Sequence, residues 1–130
     1  MNMPSKTIVI ADDDPGYRRL LAELLEKHYD VVVLQDGREV LEHLRGSVPD
    51  MLILDVGMPF VSGIEINNRV KIISRLKDVP VLLITALGTS SSIVQACENG
   101  PPEGILHKPF SKTELLSMIG GMFSKKEAQA

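Results

Sequence analysis

The chain has 130 residues, and its 14 basic and 17 acidic residues give a net charge of −3 at pH 7. Binding to nucleic acid relies on clustered positive charge, and the sequence has no stripe of Lys or Arg, so we expect no nucleic-acid partner. The hydrophobic content of 44% is ordinary for a globular protein. No apolar run approaches the roughly 18 residues that a membrane-spanning helix requires, so we expect a cytoplasmic protein without a membrane partner.

Short apolar runs alternate with helical patterns along the chain. The first run, Thr7–Ala11, is rich in β-branched residues and predicts a buried strand. Asp14 directly before Pro15 predicts the start of a helix, with the aspartate as N-cap. Apolar stripes predict four further helices. The second helix follows Asp36-Gly37, the third begins at Ser62, and the fourth contains Ile93. The fifth begins at Ser111, with Glu114 at the spacing of a capping box. Further short runs predict strands at residues 31–34, 51–54, 81–84 and 104–107.

Five strands that alternate with five helices predict an α/β fold with one parallel sheet and helices on both of its faces. Right-handed crossovers leave few topologies, and the strand order 2-1-3-4-5 is common for this number of strands. We therefore expect one flavodoxin-like domain over residues 1–130, with its core at about residues 6–123. The residues from Gly120 onwards are expected to form a polar, frayed tail.

Unusual polar residues fall where the predicted strands end. Asp12 and Asp13 follow the first strand, Asp55 ends the third, Thr85 ends the fourth, and Lys108 follows the fifth. In a parallel sheet these ends lie on one edge, which is where open α/β sheets bind their ligands. Strands one and three are neighbours in the predicted order, so their carboxylates should meet.

Carboxylates that meet in this way repel one another. Two unit charges about 4 Å apart cost on the order of 4 kcal/mol at an effective dielectric constant of 20. A hard cation relieves this repulsion, and a site with oxygen ligands alone suits Mg²⁺. Asp55 could then attack phosphorus as a nucleophile, while Lys108 and the Thr85 hydroxyl stabilise the transferred oxygens. Asp14 is better explained as a helix cap than as a metal ligand.

Four motifs in register resemble one known family. They are the strand Ile8-Val9-Ile10-Ala11 with Asp12-Asp13, the segment Asp55-Val56-Gly57-Met58-Pro59 followed by Gly63, the pair Thr85-Ala86, and Lys108-Pro109-Phe110. Together they resemble the response-regulator receiver domain of bacterial two-component signalling, over residues 6 to 123. The chain looks like the stand-alone, single-domain type.

The resemblance implies a phosphorylation-dependent switch that is not an enzyme beyond its own phosphorylation and dephosphorylation. Asp55 would accept a phosphoryl group from a histidine kinase or a phosphotransfer protein. Mg²⁺ would be bound by Asp13, Asp55 and the backbone carbonyl of Gly57, with Asp12 acting mainly through water. Thr85 would turn towards the phosphoryl group and Lys108 would pair with it. The signal would pass by protein contact to an unknown downstream target, and a phosphorylation-dependent homodimer is left open.

Two features depart from the family pattern. Ile105 stands where an aromatic residue is usual, three residues before Lys108, so the usual aromatic switch is in question. The segment from Gly100 to Gly104 is longer by one residue and carries two prolines. The sequence leaves two alternative functions open. A docking module that needs no phosphorylation is one, and an aspartyl-phosphate phosphohydrolase is the other, although Gly57 stands where such enzymes carry a second aspartate. A nucleotide- or flavin-binding domain lacks its glycine-rich loop here.

Overall fold

The structure is a computed structural model, and it describes residues 5–129. Its strands are β1 (Thr7–Ala11), β2 (Asp30–Leu34), β3 (Met51–Asp55), β4 (Val81–Thr85) and β5 (Gly104–His107). Its helices are α1 (Pro15–Leu25), α2 (Gly37–Gly46), α3 (Gly63–Ile72), α4 (Ser90–Ala96) and α5 (Lys112–Gln129). Strands and helices alternate throughout, as predicted.

The five strands form one parallel sheet in the order β2-β1-β3-β4-β5, which confirms the predicted topology. Successive side chains of a strand point to opposite faces, so Ile8 and Ile10 contribute to one core and Val9 and Ala11 to the other. The first core is closed by α1 and α5, and the second by α2, α3 and α4. Helices therefore cover both faces of the sheet. Because all five strands are parallel, their carboxyl ends lie at one edge.

The predicted helix caps are present. The Asp14 carboxylate accepts a hydrogen bond from the Gly16 N–H at 2.8 Å, which confirms it as the N-cap of α1. Ser62 caps α3 through the Glu65 N–H. At the start of α5, Ser111 and Glu114 exchange hydrogen bonds in a capping box.

The prediction that the chain frays from Gly120 is wrong. Helix α5 continues through Gln129, because Ile119, Met122 and Phe123 are buried against the sheet and hold the helix across Gly120 and Gly121. Two glycines within a helix cost about 1 kcal/mol each relative to alanine, and this burial offsets that cost. Residues 124–129 are exposed, as their polar character suggests. Residues 1–4 and 130, which the single-domain prediction includes, lie outside the described residues.

The long connection between α4 and β5 is fastened to α3 and β4. The Asn67 side-chain amide donates to the Gly100 carbonyl at 2.9 Å. The Glu103 carboxylate lies 2.5 Å from the Lys71 ammonium and accepts the Val81 N–H at 2.8 Å. The two extra features of this segment, its length and its prolines, are thus accommodated in a fixed loop.

None of the helices within residues 5–129 is long and apolar enough to cross a membrane.

Candidate functional site

The register of β1 and β3 brings the first and third acidic residues of the site together. Ala11 pairs with Leu54, so Asp12 and Asp55 leave the sheet side by side. Both are buried, with 1% and 8% of their surface exposed. Asp13 is exposed, and one carboxylate oxygen from each of the three aspartates lies within 4.8 Å of the others. The predicted acidic cluster is therefore formed.

Lys108 supplies the cation of this cluster. Its Nζ lies 3.0 Å from Asp12 Oδ2 and 3.5 Å from Asp55 Oδ2, and its side chain is almost fully buried. The bond between Lys108 and Pro109 is cis, as expected from the resemblance. The ammonium also sits over the Tyr17 ring, 4.1 Å from the centroid, which adds a cation–π contact.

The electrostatics of the site show crowded negative charge. Burial, reinforced by the neighbouring Asp12 carboxylate, raises the pKa of Asp55 from 3.8 to about 6, although the hydrogen bond from Gly57 and the charge of Lys108 act against this rise. Burial alone would lower the pKa of Lys108. The hydrogen bond and charge of Asp12, with the charge of Asp55, raise the Lys108 pKa above its ordinary value instead. Lys108 therefore stays charged and neutralises only part of the negative charge of the three carboxylates.

Two glycines shape the backbone around Asp55. The Gly57 N–H donates to Asp55 Oδ1 at 3.1 Å, which orients the carboxylate. A Cβ atom on Gly63 would lie 2.7 Å from the Asp55 carbonyl oxygen, so α3 can approach β3 this closely only with glycine at that position. Metal binding by the Gly57 carbonyl stays a prediction.

Thr85 ends β4 on the same edge, next to Ile84, which pairs with Asp55. Its hydroxyl donates to the Leu87 carbonyl and accepts the Leu87 N–H at 3.1 Å. Its carbonyl accepts the Lys108 N–H at 2.8 Å. The structure thus places Thr85 beside the acidic cluster, with its hydroxyl occupied by its own loop. The predicted contact of Thr85 with a phosphoryl group stays a prediction.

Two residues of α1 at this site were not predicted. Arg18 donates from Nη1 to the Asp12 carbonyl at 2.9 Å, and Tyr17 packs against both Lys108 and the Phe110 ring. Tyr17 stands at the same helical spacing as the leucines of α1, and nothing in that spacing separates it from them. The direction of its ring depends on where α1 lies relative to the segment after β5, which spacing along one helix does not reveal.

Ile105 is half-buried and packs against the core that α4 covers. An aliphatic side chain at this position offers no hydrogen bond, in keeping with the departure noted in the sequence.

The donor set fits Mg²⁺. Three carboxylates from two neighbouring strand ends present only oxygen atoms, which is the ligand type that this ion prefers, and few protein ligands leave it room for water and phosphate oxygen. Burial and the neighbouring Asp12 carboxylate raise the pKa of Asp55, and a bound cation would favour the ionised carboxylate. Asp12, Asp13 and Asp55 are therefore the residues able to hold the ion.

Comparison with known proteins agrees with the family resemblance of the sequence motifs. The family model described as the response regulator receiver domain matches residues 8–120. A curated relative, hybrid signal transduction histidine kinase D of Dictyostelium discoideum, is 33% identical over 98% of this chain. The chain spans only 8% of that kinase and about half the length of the other curated relatives it matches.

Solved structures share the fold. The receiver domain of a signal transduction histidine kinase from Syntrophus aciditrophicus superposes with a TM-score of 0.83 at 29% identity, covering 93% of this chain and 92% of that one. The receiver domain of the sensor histidine kinase PA1611 from Pseudomonas aeruginosa PAO1 has a TM-score of 0.81 at 19% identity, with 93% and 99% covered, and shows the fold alone. That structure is described with a magnesium ion in its active-site cleft. With a family model that matches residues 8–120, the chain belongs to the response regulator receiver domain family.

Proposed function

We propose that the protein is a signalling switch whose Asp55 carboxylate accepts a phosphoryl group. The observation that carries this proposal is the grouping of three carboxylates and one buried lysine at the sheet edge, with Lys108 Nζ 3.5 Å from Asp55. Receiver domains are signalling switches that act with histidine kinases or phosphotransfer proteins, and the family match supports this role for the chain. We further propose that the whole chain forms one such domain.

In the proposed reaction an Asp55 oxygen attacks phosphorus and forms a P–O bond. The bond from phosphorus to the donor breaks, and its electron pair leaves with the donor, which is a histidine nitrogen of the partner or the acetate oxygen of acetyl phosphate. The Gly57 N–H holds the other Asp55 oxygen, so the nucleophile is oriented before attack. Lys108 pairs with the phosphoryl oxygens, and the Thr85 hydroxyl donates to them once it leaves the Leu87 carbonyl.

Asp12, Asp13 and Asp55 would hold Mg²⁺, with the Gly57 carbonyl as a further ligand. The bound ion would neutralise charge on the phosphoryl oxygens and on the carboxylates that surround them. The neighbour from Pseudomonas aeruginosa that is described with magnesium in its cleft supports this assignment by analogy of fold only. The partner that donates the phosphoryl group would be a histidine kinase or a phosphotransfer protein.

Intact-mass measurement after incubation with acetyl phosphate and Mg²⁺ tests the proposal. We expect the wild-type protein to gain one phosphoryl group, and the gain to disappear on addition of EDTA. Asp78→Asn, a change of an exposed aspartate at the opposite end of the sheet, should behave as wild type, whereas Asp55→Asn should gain nothing. A wild-type protein that gains no phosphoryl group, and that also fails to bind beryllofluoride, would favour the docking module that needs no phosphorylation.

A further inference from the structure

The loop between β4 and α4, residues 86–89, has both of its ends connected to His107. At the near end, Thr85 pairs with His107 in the β4–β5 ladder. At the far end, Ser90 Oγ lies 3.1 Å from Nε2 of the His107 ring. His107 and Ile105 share one face of β5, the face that α4 covers, which explains why the ring reaches Ser90. His107 therefore contacts the residues on both sides of the loop, Thr85 and Ser90.

The loop itself is held by hydrogen bonds rather than by packing. Leu87 is 84% exposed, and Gly88 adopts a left-handed conformation with φ of 89°. Within the loop, the Thr85 hydroxyl donates to the Leu87 carbonyl and accepts the Leu87 N–H. The position of the Leu87 carbonyl thus depends on how the two ends of the loop are fastened.

A threonine hydroxyl has one hydrogen to donate. Thr85 therefore cannot donate to Leu87 and to a phosphoryl oxygen on Asp55 at the same time. Any interaction that keeps the Leu87 carbonyl in its present position favours the unphosphorylated arrangement of Thr85, because a contact made in one of two states shifts the population towards that state.

We propose that His107 is a positioning residue: through Ser90 it holds the β4–α4 loop so that Leu87 retains the Thr85 hydroxyl, and it thereby opposes phosphorylation of Asp55. This proposal rests on the proposed function. Ile105, two residues earlier on β5, cannot take this role because its side chain forms no hydrogen bond. In this chain, the link between β5 and the loop that holds the Thr85 hydroxyl is therefore made by His107 and Ser90.

Binding of beryllofluoride, a phosphoryl mimic, in the presence of Mg²⁺ tests the proposal on the full chain. Loss of the hydrogen bond in Ser90→Ala or His107→Ala should tighten binding about twofold to tenfold, since a single hydrogen bond of ordinary strength has been removed from the resting state. The double variant should bind no more tightly than either single variant. His107→Gln, which keeps a hydrogen-bonding nitrogen at a similar reach, should stay near wild type.

Two further variants separate positioning from a merely structural effect. Ser91→Ala makes the same change at the next residue of α4, whose side chain forms no hydrogen bond among residues 5–129, and should leave the affinity unchanged. In a Thr85→Ala background, which lacks the hydroxyl, the effect of Ser90→Ala should vanish. An effect of Ser90→Ala that persists without the Thr85 hydroxyl would overturn the positioning role.

Hydrogen exchange at the Leu87 amide, measured without Mg²⁺ or beryllofluoride, provides a readout that does not require phosphorylation. We expect Ser90→Ala and His107→Ala to speed this exchange several-fold and Ser91→Ala to leave it unchanged. The Leu87 N–H is protected by its hydrogen bond to the Thr85 hydroxyl, and this bond depends on the position of the loop. If wild type binds no beryllofluoride, the proposed function fails, and Leu87 exchange still decides whether His107 positions the loop. Equal Leu87 exchange in wild type and Ser90→Ala overturns the proposal, as does faster exchange with unchanged beryllofluoride affinity.

Discussion

Lys108 and Asp12 form an ion pair of 3.0 Å whose side chains are 9% and 1% exposed, although β5 and β1 are separated in the sheet by β3 and β4. The lysine side chain therefore crosses the ends of two strands to reach its partner. Asp55, at the end of β3, lies on this path with its Oδ2 3.5 Å from the ammonium. The same lysine thus contacts both buried carboxylates and places its charge close to Asp55, the proposed acceptor.

Replacement of Lys108 should destabilise the metal-free protein. Lys108→Met leaves two buried carboxylates without their cation, and removing one partner of a buried pair costs about 3 kcal/mol. We expect a loss of this order in the free energy of unfolding, measured by urea denaturation at pH 7 in EDTA. Saturating Mg²⁺ should reduce the loss, since it supplies positive charge to the same oxygens. Lys77→Met, a change of an exposed lysine, serves as the control, and an equal loss in that variant would contradict the ion-pair role of Lys108.

Replacement of Asp55 should have the opposite effect on stability. The pKa of Asp55 is raised from 3.8 to about 6, so the folded state holds its proton more tightly than the unfolded state. Ionisation therefore destabilises the fold as pH rises from about 4 to about 6. We expect Asp55→Asn to be more stable than wild type in EDTA at pH 7, by on the order of 3 kcal/mol.

Below about pH 4 the advantage of Asp55→Asn should disappear, because the wild-type carboxyl is then protonated in both states. Urea denaturation across this pH range provides the measurement. An advantage that is constant from pH 4 to pH 7 would show that the raised pKa of Asp55 is not its cause.

The adjacent residues Asp13 and Asp14 should differ in what they contribute. Asp13 belongs to the carboxylate cluster, whereas Asp14 caps α1. We expect Asp13→Ala to weaken Mg²⁺ binding, measured by calorimetry, far more than Asp14→Ala does. Asp14→Ala should instead cost about 1 kcal/mol of stability, the usual loss of an N-cap. Equal losses of Mg²⁺ affinity in the two variants would contradict this division.

Gly63 should tolerate no side chain. A Cβ atom there would lie 2.7 Å from the Asp55 carbonyl oxygen, so Gly63→Ala must push β3 and α3 apart. We expect a loss of about 1–3 kcal/mol in stability together with weaker Mg²⁺ binding, because Asp55 moves with its backbone. Gly120→Ala is the matched control: no atom lies within 4 Å of its added methyl, and in α5 the change should stabilise by about 1 kcal/mol or less. Unchanged Mg²⁺ affinity in Gly63→Ala would contradict the link to Asp55.

Much of the fold could be predicted because the local signals agree with one another. The β-branched runs, the caps at Asp14, Ser62 and Ser111, and the alternation of elements all indicate the same parallel sheet. The acidic cluster follows from topology, because parallel strands end at one edge. The end of α5 was missed because the residues from Gly120 onwards become polar, whereas burial of Met122 and Phe123 carries the helix past this point.

Contacts between distant side chains could not be predicted in the same way. The stacking of Lys108 on Tyr17, the Ser90–His107 hydrogen bond and the ion pair of Lys71 with Glu103 join residues from different elements. No periodicity along a single segment encodes such pairs, because they depend on the relative rotation of packed elements. The occupied hydroxyl of Thr85 belongs to the same class, since the sequence identifies the residue but not its resting partner.

The position at which acetyl phosphate modifies the chain provides the most direct test of the proposed function. After incubation with acetyl phosphate and Mg²⁺, borohydride reduces an acyl phosphate to an alcohol, so an aspartyl phosphate becomes homoserine, which peptide mass spectrometry locates. We predict homoserine at position 55 alone. Homoserine at position 12 or 13, or none in a protein that has gained a phosphoryl group, would contradict the assignment of Asp55 as the acceptor.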